Sequence, residues 1–194
     1  MATSRKASIA YTVPGINTGD GSAVVDRLQD RLNALNDLAL TLKHIHWNVT
    51  GTHFISVHLM LDPQVDAVRL MVDTTAERIA TMGGSPKGTP GAMVEGRTWD
   101  DYSLGRADAI AHLGALDMVY TGVIESHREA IEAVGDLDPV TEDMLTAQTA
   151  QLEQFQWFVR AHLEGADGRL ATAGETTERS AARTATKRTP KATR

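Results

Sequence analysis

In the stretch "AVVDRLQDRLNALNDLALTLKHIHWNV", apolar residues stand at Val25, Leu28, Leu32, Leu35, Leu38 and Leu42, always three or four positions apart. That is the period of one face of an α-helix. A chain that repeats it over long runs has to bury those faces by packing helix against helix. Three more runs share the pattern: 56–82 ("SVHLMLDPQVDAVRLMVDTTAERIATM"), roughly 106–134 and roughly 140–163. No period-two alternation of a strand persists. The expected class is all-α.

Loop lengths select the topology. Ser22 is suited to cap the first run and Gly51 to stop it; Gly83-Gly84 close the second, and Pro63 inside it removes a ladder bond. Runs one and two are joined tightly, and "GDLDP" joins three to four. Between two and three lies the long connection "GGSPKGTPGAMVEGRT", followed by "WDDYSLG", read as a short helix. Four antiparallel helices with one long crossover make the ferritin-like bundle. The expected division is a flexible N-terminal segment 1–21, a bundle 22–165 and a disordered basic tail 166–194.

No apolar run approaches the roughly 20 residues of a membrane span, and "MATSRKASIAYTVPGINTGDGS" has no apolar signal-peptide core, so a cytoplasmic location is expected. With no cysteine, any metal site must use His, Asp and Glu. The net charge of −6 hides an asymmetry. Arg179, Arg183, Lys187, Arg188, Lys191 and Arg194 face no acid from 179 onward; removing these six from the 19 basic residues leaves 13 against 25 acidic ones, −12 for residues 1–178.

The second run carries His58, Asp62, Asp73 and Glu77 as two i,i+4 pairs on one stripe. Asp62 and Asp73 are about 16 Å apart along the axis, too far to share a metal within one chain. An antiparallel second copy about a two-fold axis solves this. A single register brings His58 to Glu77, Asp62 to Asp73 and Asp66 to Arg69, the self-complementarity of a two-fold interface. His46 ends the neighbouring helix across the Gly51 turn; His44 is about 200° round from it, and loop His53 is a competitor. Such an N/O set suits Fe(II), Zn or Mn. On spacing alone, a solvated acidic face with structural histidines is an equal alternative.

The segments "LKHIHWNVTGTHFISVHLMLD", "VDTTAERIATMGG", "SPKGTP" and "LEQFQWFVRAHLE" resemble the Dps family, small ferritin-like proteins of starved bacterial cells, over approximately residues 26–165. The resemblance implies a four-helix subunit assembling through two-fold dimers into a hollow dodecamer. Such cages oxidise Fe(II), preferentially with hydrogen peroxide, and store ferric mineral; many members also bind DNA. It implies a two-iron intersubunit site with ligands His46, His58 and Asp62 from one subunit and Asp73 and Glu77 from its partner. Trp47 would accept oxidising equivalents in such a site, with a core indole as the alternative. Glu-x-x-His, typical of ordinary ferritins, occurs nowhere in the chain.

Under that resemblance, Asp136, Asp138, Glu142 and Asp143 would line an acidic iron-entry pore; the alternative is an ordinary acidic helix start. The six basic residues of the tail suit sequence-independent phosphate contact, multiplied by copies on a cage, in a nucleoid-associated protein. The competing functional reading is a structural DNA-compacting protein with vestigial metal sites; a di-iron enzyme for an organic substrate is disfavoured by the missing Glu-x-x-His.

Overall fold

The computed structural model describes residues 9–188. Four long helices carry the predicted apolar runs: α1 (Thr18–Asn48), α2 (Phe54–Thr81), α4 (Ala109–Val134) and α5 (Pro139–Leu163), with shorter α3 (Pro90–Gly96) and α6 (Glu178–Arg188). α1 begins four residues before the expected Ser22 cap, and α2 runs unbroken through Pro63. Two two-residue strands, β1 (Val49–Thr50) and β2 (Ala107–Asp108), pair in parallel with Val49 opposite Ala107. Among the described residues no helix is long and apolar enough to cross a membrane.

The chain forms two compact units, and α1, α2, α4 and α5 each contribute to both. The first takes the chain up to Ala39, Ala67–Thr98 and Glu125–Ala150. Its core joins Val24, Val25, Leu28 and Leu32 of α1 to Ile79 and Met82 at the end of α2, Ala130 and Val134 of α4 and Leu145 of α5. Ile9, Val13 and Ile16 pack against it, so part of the segment expected to be flexible, 1–21, is folded onto this core. The short helix of the crossover is α3, in this unit, opened by Thr89 and Pro90. Proline has no N–H to lose at the first helical position and its φ is already helical.

The second unit takes Leu40–Asp66, Trp99–Ile124 and the chain from Gln151. It buries Leu42 and Ile45 of α1, Val57, Leu61 and Val65 of α2, Leu113, Leu116 and Tyr120 of α4 and Leu152, Val159 and Leu163 of α5. "WDDYSLG", expected as a helix, is not one. Its polar groups are engaged elsewhere: Leu104 O accepts from His44 Nε2 at 2.8 Å, Tyr102 Oη meets His112 Nδ1 at 3.0 Å, and Ser103 N donates to Glu178 Oε2 at 2.7 Å.

The expected disorder from residue 166 is corrected as far as residue 188. Ala171 and Thr172 are buried, and α6 buries Ala181, Ala182 and Ala185. Asp117 of α4, 1% exposed, is the fastening point: it accepts from Thr172 Oγ1 at 2.7 Å, Gln156 Nε2 at 2.9 Å and Arg160 Nε at 2.7 Å.

Candidate metal centre

Between α1 and α2 the chain reverses at Gly51, whose φ of +93° is a conformation that side-chain-bearing residues avoid. The reversal places the last turn of α1 beside the first turns of α2. There the His46 and His58 rings stack, with centroids 3.6 Å apart and 27° between planes. Each ring bonds the other residue's backbone: His46 Nδ1 to His58 O at 3.1 Å, and His58 Nδ1 to His46 O at 3.0 Å. A carbonyl oxygen can only accept, so both Nδ1 atoms carry the hydrogen, and in the neutral ring each Nε2 keeps its lone pair. Bonds of this kind hold metal-binding histidines in position.

One turn beyond His58, Asp62 Oδ1 lies 3.2 Å from His46 Nδ1 and 3.0 Å from Lys43 Nζ. The Lys43 hydrogen bond holds the Asp62 carboxyl below the ordinary carboxylate range. The positive potential of His46, Lys43 and His58 adds to this effect, and burial opposes it. Lys43 Nζ also stands 5.9 Å from the centre of the Trp47 ring. Trp47 is 72% exposed, so the core-indole alternative is wrong for the single chain. Lys43 was missed by the sequence reading, although it shares a helix face with both His46 and Trp47 through spacings of three and four.

His44 turns to the crossover, where its ring also meets Tyr102 edge-on at 5.9 Å. His53 is exposed at the start of α2, its carbonyl accepting from Ser56 Oγ. The structure therefore brings together His46, His58 and Asp62, and leaves His44 and His53 out. Ile55 at 59% and Leu59 at 58% exposure lie bare beside this cluster on α2, with Asp66 exposed beyond them. In the other unit, Arg69, Asp73 and Glu77 of α2 are exposed and Leu70 is 64% exposed. Among the described residues of one chain, no three His, Cys, Asp or Glu side chains are grouped to hold a metal ion.

The proposed pore residues separate by environment. Asp136 and Asp143 are exposed and Glu142 is half-buried, but Asp138 is 2% exposed. Asp138 Oδ2 accepts from Arg78 at 2.5 Å and from Thr141 Oγ1, while its Oδ1 takes the Val140 N–H. Burial works to raise its pKa, but the hydrogen bonds from Thr141 and Arg78, with the charge of Arg78, win and lower it. Asp138 is a helix cap and ion-pair partner, which removes it from the free acidic set. Of the tail residues, Arg179, Arg183 and Lys187 are exposed on α6. Lys191 and Arg194 lie outside the described residues, as does the side chain of Arg188.

Residues 25–168 match the model of the ferritin-like domain. The DNA protection during starvation protein of Mycolicibacterium smegmatis is 57% identical over 173 residues, 89% of this chain and 94% of that one. The fine tangled pili major subunit of Haemophilus ducreyi is 51% identical over 160 residues, 82% of this chain and 85% of its own. Among solved structures, DpsA14 from Streptomyces coelicolor superimposes with a TM-score of 0.85 at 63% identity, covering 86% of this chain and 99% of that one. The fold is that of a ferritin-like protein. The chain belongs to the Dps family within that class.

Proposed function

We propose that the protein is an iron-oxidising, iron-storing cage that protects DNA; of these, DNA protection is what the name of its M. smegmatis relative states of that protein. Fe(II) is its substrate, oxidised at sites completed between subunits. The observation that carries this is the reciprocal His46–His58 pairing, which holds two imidazoles beside Asp62 with Nε2 free of the backbone bonds. Neutral imidazole and anionic oxygen favour the more highly charged Fe(III) product. Two Fe(II) each give one electron to hydrogen peroxide, which takes up two protons and leaves as two waters, so no hydroxyl radical is released. Exposed Trp47 serves as a redox support, and hydrolysed Fe(III) is stored as mineral inside.

One chain supplies two nitrogens and one carboxylate. Asp73 and Glu77 of a two-fold partner supply the rest, and a dodecamer of such dimers encloses the mineral. The bare Ile55, Leu59 and Leu70 side chains of α2 support a partner at that face. Asp136, Glu142 and Asp143 remain as a cation funnel. The basic C-terminal segment contacts DNA phosphates, placing the cage on the nucleoid in the cytoplasm. The test is the double variant His58→Ala with Asp62→Ala, followed by iron absorbance on adding peroxide. Oxidation is expected to vanish while the native particle mass stays the same; unchanged kinetics would rule out this site.

One observation favours a second reading, a DNA-compacting protein without iron chemistry: Lys43 already neutralises Asp62. Iron-dependent absorbance growth with the unaltered protein separates the two.

A further inference from the structure

α6 has one face made of very small residues. Ala181, Ala182 and Ala185 are 0%, 4% and 2% exposed. Ala181 and Ala185 meet α4 at Gly114, where a β-carbon would stand 2.8 Å from Ala181 O and 2.9 Å from the Ala185 methyl group. The two helices touch there almost backbone to backbone, which only glycine on the α4 side permits. The N-terminal end is tied down as well. Thr177 Oγ1 caps α6 by accepting the Ser180 N–H, and Glu178 Oε2 accepts the Ser103 N–H of the crossover at 2.7 Å.

Docking by that face fixes what the opposite one presents. Arg179, Arg183 and Lys187 are all exposed, and they follow one another at intervals of four. Each step advances about 6 Å along the axis and drifts only about 40° round it, so the three cations form a row about 12 Å long. One strand of a DNA duplex presents roughly three or four phosphates over that length. Two carboxylates lie close by in sequence: Glu178 accepts the Ser103 N–H, and Glu175, which feels the charges of Arg183 and Lys187, accepts from Thr184 Oγ1 at 2.8 Å.

Resting on the DNA-contact reading above, we infer that the contact is made by α6 as a pre-folded, docked helix whose Arg179–Arg183–Lys187 row lies along one phosphate strand. Gly114, a residue of α4 with no charge, therefore helps determine DNA affinity. A held row loses less conformational freedom on binding than a loose segment with the same charges.

The test uses the full-length assembled protein and a linear duplex of mixed sequence, with affinity measured against salt. Replacing Arg179, Arg183 and Lys187 by Gln is expected to reduce the salt slope by about 2.7 per engaged segment. Replacing Arg188, Lys191 and Arg194 by Gln should leave that share in place. If the first triple binds with the unaltered slope and the second does not bind, the docked row is overturned while the tail reading stands. If both bind like the parent protein, the tail reading itself fails. Gly114→Ala favours α4 as an isolated helix, so its effect falls on the α6 contact. It should make α6 amides exchange rapidly with solvent deuterium and weaken binding about tenfold. Protected α6 amides in that variant, or exposed ones with unaltered affinity, would overturn the inference. Ala185→Leu, which wedges the same contact from the α6 side, repeats the comparison if α4 does not tolerate the first change.

Discussion

Lys43 Nζ lies 3.0 Å from Asp62 Oδ1, so the carboxylate best placed to join His46 and His58 is already held by an ammonium. A divalent cation and Lys43 compete for one oxygen. The lysine hydrogen bond holds the Asp62 pKa below the ordinary carboxylate value, which favours the anion a cation needs, while the ammonium occupies the position that cation would take.

Lys43→Met tests that balance. Partly exposed ion pairs of this kind contribute only modestly, so the competition is weak. The variant is expected to bind Co(II), a redox-silent probe, up to about fivefold more tightly at neutral pH. Calorimetry on the assembled protein reads this directly, and weaker binding would mean that Lys43 assists the site.

Asp138→Ala should unfold more easily by about 3 kcal/mol, because it strands Arg78 and uncaps α5. The sign with pH follows from the lowered pKa of Asp138. The folded form holds the proton less tightly than the unfolded chain does. Its stabilisation is therefore complete above the ordinary carboxylate pKa of 3.8 and disappears as pH falls through the lower folded value. Urea titrations of parent and variant should differ at pH 7 and converge toward pH 2.

His112 behaves in the same sense, but in a higher pH range. Burial lowers its pKa from 6.5; backbone bonds near Asn48 and Gly105 and the charge of Asp108 oppose this, while His44 adds to it. The folded state binds fewer protons than the unfolded chain, so stability falls as pH drops from 6.5 toward the folded value and then levels off. Residues 99–108 should exchange amide hydrogens faster at pH 5.5 than expected from chemistry alone. His112→Gln should remove the extra acceleration.

Asp117→Asn leaves Arg160 with a weaker acceptor and disturbs the bond to Thr172. A cost of about 3 kcal/mol is expected, together with faster tryptic cleavage after Arg169. Thermal unfolding and timed proteolysis check the two effects separately; a normal melting temperature with normal cleavage would remove Asp117 as the fastening point.

Large apolar side chains made the long helices legible. All six of Val25, Leu28, Leu32, Leu35, Leu38 and Leu42 are at most 4% exposed, and the periodicity that marks them also set the faces carrying His46 and His58. α6 was invisible for the converse reason. Its buried face is alanine against glycine, a contact made by close backbone approach, which hydropathy does not register. The sequence points to the short helix in "WDDYSLG", but Tyr102, Ser103 and Leu104 bond there to partners distant in the chain, and the helix lies instead after Thr89. Asp138 read as one acid among several, because charge counting along a loop does not see Arg78 arriving from α2.

The carboxylate of Asp108 does two jobs: Oδ1 accepts the Ile110 N–H at the start of α4, and Oδ2 fills the place where a side chain on Gly51 would begin. The bend that brings the imidazoles together and the opening of a helix far downstream are thus a single interlocked joint. A side chain at position 51 would have to displace the Asp108 carboxylate from the head of α4 and adopt a strained backbone, so a change in the turn reaches the start of α4 as well.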